Sequence, residues 1–64
     1  MIITKNQMKK IMPFFQGLKE RDVYAMLKKI MLKNKTNFQD TCIIARGLIV
    51  SNNFDISDVI TYIG

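Results

Sequence analysis

Three times in 64 residues a helix-start signal stands directly ahead of apolar residues at helical spacing. Thr4 and Gln7 have the spacing of a capping box, in which each side chain satisfies the other residue's orphan backbone amide. Thr36 and Gln39 repeat that spacing. Asp55 then offers an N-cap, with Asp58 three residues on at the positive end of a helix. Apolar residues at i, i+3 and i+4 share one helix face, and such stripes follow each signal. Only Cys42-Ile43-Ile44 and Leu48-Ile49-Val50 could pass for strands, and both are short. The expected fold is therefore all-α, a small three- to four-helix bundle-like domain spanning residues 1–64.

The segments differ in character. Met8, Ile11 and Met12 form the first stripe, with Ile3 placed to staple onto Met8. Pro13 stops that run, because it lacks an amide and disfavours α geometry at Met12. Residues 13–17 read as a connector in which one of the adjacent Phe14 and Phe15 anchors in the core and the other faces out. From Leu18 to Asn34, Val23, Tyr24, Met26, Leu27, Ile30 and Met31 cover about half a helix circumference, with lysines filling most of the rest. The segment from Thr36 to Val50 is apolar nearly all round, which predicts a central helix or one in an oligomer interface. Gly47 costs about 1 kcal/mol there against Ala and implies close approach of another helix. Asn52 and Asn53 suit a left-handed helix end. Ile56, Val59, Ile60 and Ile63 then make the last stripe, Phe54 is placed to staple onto Val59, and Gly64 falls at a C-cap position.

A chain this short buries only about 60% of its unfolded surface, so its stability is small. Its 48% apolar and 23% charged residues nevertheless match a folded domain. One cysteine allows no internal disulfide, and without histidine almost no zinc ligands remain, so no metal or cofactor is expected. Early charge at Lys5, Lys9 and Lys10 argues against a signal peptide. The most apolar stretch, Thr41 to Val50, contains Arg46 and falls far short of a membrane span of roughly 18 residues. Cytoplasm is the expected compartment.

Catalysis is not expected. General acid–base work at neutral pH most often uses histidine, and this chain has none. Cys42 reads as a small core residue, and Asp55 and Asp58 as caps. Gly17, Gly47 and Gly64 are isolated, so they make no phosphate loop.

Charge is the main functional signal. Residues 1–35 hold nine basic and two acidic residues, whereas residues 36–64 hold one basic and three acidic. Such asymmetry points to an acidic partner surface, nucleic acid or an anionic membrane, although the same lysines also serve as a solvated face or a dipole match at a helix end. The candidate partner-binding residues are Lys9, Lys10, Phe14, Phe15, Lys19, Arg21, Lys28, Lys29 and Lys33. Lysine outnumbers arginine eight to two, while base readout favours Arg, Asn and Gln, so specific reading of nucleic acid is not expected. Five methionines (Met1, Met8, Met12, Met26, Met31) lie in the basic half; adaptable binding surfaces use Met, but helical spacing already explains four of them as core.

Ile3-Thr4-Lys5 followed by Ile11-Met12-Pro13 resembles the opening of phage-type family 19 chitinase-like endolysins, and the stretch from Thr36 to Ser51 loosely resembles that family's next helix. The resemblance implies a catalytically dead fragment, because Ile49 and Val50 stand where the family carries a His-Glu pair. The leading expectation is a non-enzymatic basic binding protein whose lysine-rich face docks on an acidic protein surface. Size and an AT-rich composition (Ile, Lys and Asn make 23 of 64 residues) suit a phage or mobile-element accessory protein, such as an inhibitor, that modulates a host factor. Non-specific nucleic-acid binding and homo-oligomer formation are the alternatives.

Overall fold

The first cap forms as its spacing predicts. The Gln7 amide donates to Thr4 Oγ1 at 3.1 Å, and the Thr4 amide donates to Gln7 Oε1 at 2.9 Å. From it runs α1 (Lys5–Ile11), in a computed structural model that describes residues 3–64. Met1 lies outside the described residues. Ile3 and Met8, the two ends of the expected staple, are both buried. Pro13 ends the α-helix and opens a 3-10 turn over Met12–Phe15, where its missing amide leaves no bond unmade. Gly17 then adopts φ +85, and the Leu18 amide returns to the Phe15 carbonyl at 3.2 Å. That tight corner delays α2 (Glu20–Asn34) by two residues relative to the expected start.

Helix α2 provides most of the core. Val23, Met26, Leu27 and Ile30 are fully buried, and Met31 is nearly so. Each such side chain contributes about 1.5–3 kcal/mol on burial. Lys35 ends the helix in the left-handed region (φ 54), with its amide bonded to the Met31 carbonyl at 2.8 Å. The chain turns within three residues into α3 (Phe38–Ser51). Its cap is shifted by one from the predicted Thr36–Gln39 box: Asn37 accepts the Asp40 amide at 2.7 Å. Asparagine is the stronger N-cap. Thr36 is also engaged elsewhere, since its hydroxyl lies 2.7 Å from that of buried Thr41, which in turn donates to the Asn37 carbonyl.

The all-α architecture is as expected, but the apolar third helix is not its centre. Helices α3 and α4 both lie against α2 and against each other. In α3 only Thr41 and Ala45 are buried, while Ile43 and Val50 are 63% and 68% exposed. The molecule is a slab measuring 27 × 26 × 17 Å, too thin to wrap a helix on all sides. Gly47 likewise meets no neighbour: a Cβ there would have nothing within 4 Å. Close helix approach inside the chain therefore does not explain this glycine.

Asn53 adopts the left-handed end foreseen for α3 (φ 56), and the Phe54 amide reaches the Leu48 carbonyl at 3.3 Å. The Asp55–Asp58 pair then starts α4 (Ile56–Ile63), with the Asp58 amide donating to Asp55 Oδ1 at 2.8 Å and the Asp55 amide to Asp58 Oδ2 at 3.2 Å. Val59 is fully buried; Ile56, Ile60 and Ile63 are half-buried. Gly64 caps the helix, its amide bonded to the Ile60 carbonyl. Because Gly47 has helical neighbours and open space, Gly47→Ala should stabilise the fold by about 1 kcal/mol. Urea denaturation followed by far-UV circular dichroism checks this, with an unchanged slope and a higher midpoint expected.

Candidate functional site

The basic residues do not form one face. Lys5, Lys9 and Arg21 come together with Tyr24 along an open groove of about 690 Å³ between α1 and the start of α2. Ile3 and Met8 form its floor, and Glu20 is the acidic residue on its wall. The Lys28 ammonium extends the same surface, 6.0 Å from the centroid of the Tyr24 ring, within cation–π reach. These groups project because the apolar stripes of α1 and α2 turn inward and leave the opposite sides of both helices to charge. Among the described residues no side-chain ion pair forms within 4.0 Å.

Other predicted members lie elsewhere. Lys33 borders a groove between α3 and α4. Lys29 reaches the last turn of α4, its Nζ being 3.9 Å from where a Cβ on Gly64 would stand. That position favours a cation beside the carbonyl end of the helix dipole, a structural use of this lysine. Lys10 is exposed in the last turn of α1, and Lys19 is exposed at the N-cap of α2, where its side chain makes no capping bond. Phe15 is the inward member of the aromatic pair, 3% exposed and part of the core, and it reaches the surface only as a lining residue of the groove beside Phe14. Phe14 is the outward member of the pair, 58% exposed.

Phe14 also belongs to a feature that charge counting overlooked. The Arg46 guanidinium lies over its ring, 5.0 Å from the centroid. Together with Ile11, Phe38, Cys42 and Ile43 they line an apolar groove of about 350 Å³ between the 3-10 turn and α3. The near-complete apolar circumference of α3 was its signal in the sequence. Burial pushes the Cys42 thiol above its ordinary value, which keeps it protonated and poorly nucleophilic at neutral pH. Among the described residues no three potential metal ligands cluster, and no helix is long and apolar enough to cross a membrane.

No protein-family model, curated protein or solved structure matches the chain. The endolysin resemblance rests on its quoted residues alone. Ile49 and Val50, which stand at the family's His-Glu positions, lie on α3 as half-buried and exposed aliphatic side chains.

Two measurements check these placements. Phe15→Ala should cost about 3–5 kcal/mol in urea unfolding, as for other buried aromatics. Phe14→Ala should lose no more than the roughly 0.5–1 kcal/mol of an exposed cation–π contact. For Cys42, the alkylation rate with iodoacetamide should rise with pH along a curve whose midpoint lies above that of a free cysteine peptide. A midpoint equal to the peptide's would show the thiol to be as solvated as in the unfolded chain.

Proposed function

We propose that the protein is a non-enzymatic binding protein, an accessory factor that docks through the α1–α2 groove on an acidic surface of a larger protein. The observation that supports this most is the convergence of Lys5, Lys9, Arg21 and Lys28 around Tyr24 with no carboxylate paired to them. Unpaired cations on a rigid helical scaffold accelerate encounter with an acidic partner and gain Coulomb energy when water is displaced. Tyr24 supplies an aromatic body with a polar tip, a residue type enriched where protein interfaces concentrate their energy. The absence of histidine from the chain and the protonated state of Cys42 fit a role in binding.

Lysine-rich grooves also hold phosphate backbones, and the experiment separates the two outcomes. The tagged protein is used to capture partners from a lysate, with and without nuclease. One defined protein should survive nuclease and release at high salt, because screening weakens exposed ion pairs. The Lys9→Glu/Arg21→Glu/Lys28→Glu variant, all at exposed positions, should fold normally and lose that protein. Recovery that disappears with nuclease, or that ignores the charge reversal, overturns the reading.

A further inference from the structure

We propose that the outer face of α3 is a second docking surface, independent of the α1–α2 groove, and that it receives an acidic amphipathic helix of a protein partner. Ile43 is the ridge of this face and lines a groove on each side. On one side Phe14 and Cys42 flank the 350 Å³ groove; on the other, Leu48, Tyr62 and Ile63 flank one of about 650 Å³. Phe14, Ile43 and Tyr62 are 58%, 63% and 67% exposed, a grouping that isolated surface hydrophobes do not produce. Gly47 lies on the same face with nothing within 4 Å, which lets a partner backbone come close beside the ridge.

Charge selects the occupant. Each groove has a single charged lining residue, and both are cations: Arg46 in the first and Lys33 in the second. Neither has a carboxylate within 4.0 Å among the described residues. A second copy seated by twofold symmetry would bring this same cationic face against itself. A helix with apolar anchors on one stripe and Asp or Glu beside them would fill both grooves and pair both cations, the helix-in-groove mode of recognition. The guanidinium of Arg46, which lies over the Phe14 ring, is the planar group that can take a carboxylate by two parallel hydrogen bonds.

The test is selection of a display library of helical peptides, randomised at surface positions, against the intact protein. Enriched peptides should carry apolar residues one and two turns apart with Asp or Glu beside them. Bound nitrogen-15-labelled protein should shift its amides at Phe14, Ile43, Gly47 and Tyr62. Ile43→Glu should weaken the selected peptides by about tenfold or more, as loss of a central anchor does. Repeating the selection on Arg46→Glu should enrich Lys or Arg in place of the acidic residues. Lys9→Glu/Arg21→Glu should leave peptide affinity unchanged, so that failure of the α1–α2 reading does not decide this one. The proposal is overturned if no peptide is enriched, if enrichment shows no acidic preference, or if the shifts map to the α1–α2 groove. A dimer in sedimentation whose interface is this same face overturns it equally.

Discussion

Burial of one side of α2 is the interaction on which the rest of the molecule depends. Val23, Met26, Leu27 and Ile30 are the contiguous dry surface, and the other elements each add only a few side chains to it. Helix α1 brings Met8 and Ile11, the 3-10 turn brings Phe15, α3 brings Ala45 and Thr41, and α4 brings Val59. None of these contributions could hold an isolated helix of seven to fifteen residues, since helices that short are marginal in water. Each helix exists because α2 gives its stripe somewhere to go.

Because a slab this thin covers α2 first, the outer helices keep solvent-facing sides, and those sides differ chemically. On α1 and the start of α2 the solvent side is cationic and gathers around Tyr24. On α3 and α4 it carries an apolar patch around Ile43 and Tyr62 among polar residues such as Asp40 and Asp58, with a cation at each groove. The same 64 residues thus present two surfaces that recognise different features of a partner, one by charge and one by apolar fit with charge at its edge. Both set exposed cations beside side chains such as Tyr24 and Leu48 that also pack against the core.

Local chemistry was legible in the sequence, and relative placement was not. The Thr4–Gln7 and Asp55–Asp58 caps, the Pro13 break, the Asn53 turn and the α2 stripe all follow from interactions within a few residues, which spacing reveals directly. The Asn37 cap was missed because two adjacent residues can each start a helix, and a side chain five residues away at Thr41 decides which does. The place of α3 was misread for a different reason. Composition records how apolar a helix is, but not how many neighbours a small chain has available to cover it. The lysines followed the same rule: periodicity placed each on the outside of its own helix. Periodicity also puts Arg21 and Lys28 on one face of α2, but only the packing of the helices showed that Lys9 of α1 joins them while Lys29 and Lys33 border α4.

The joints described above also rank the order in which the parts can meet. Three residues, Lys35 to Asn37, separate α2 from α3, so the α2–α3 pair closes a very small loop, and its cost in chain entropy is low. The 3-10 turn and the Gly17 corner likewise bring α1 to α2 over a short path. Docking α4 on α2 is different, since the whole of α3 must be spanned before Val59 reaches its place. Chains dominated by near-neighbour contacts fold quickly, and longer closures carry the larger entropic cost. Helix α4, which contributes exposed Tyr62 and half-buried Ile63, is therefore the piece whose docking completes the second groove. That groove exists only where α3 and α4 are both docked, whereas the cationic groove needs nothing beyond the start of the chain, α1 and α2.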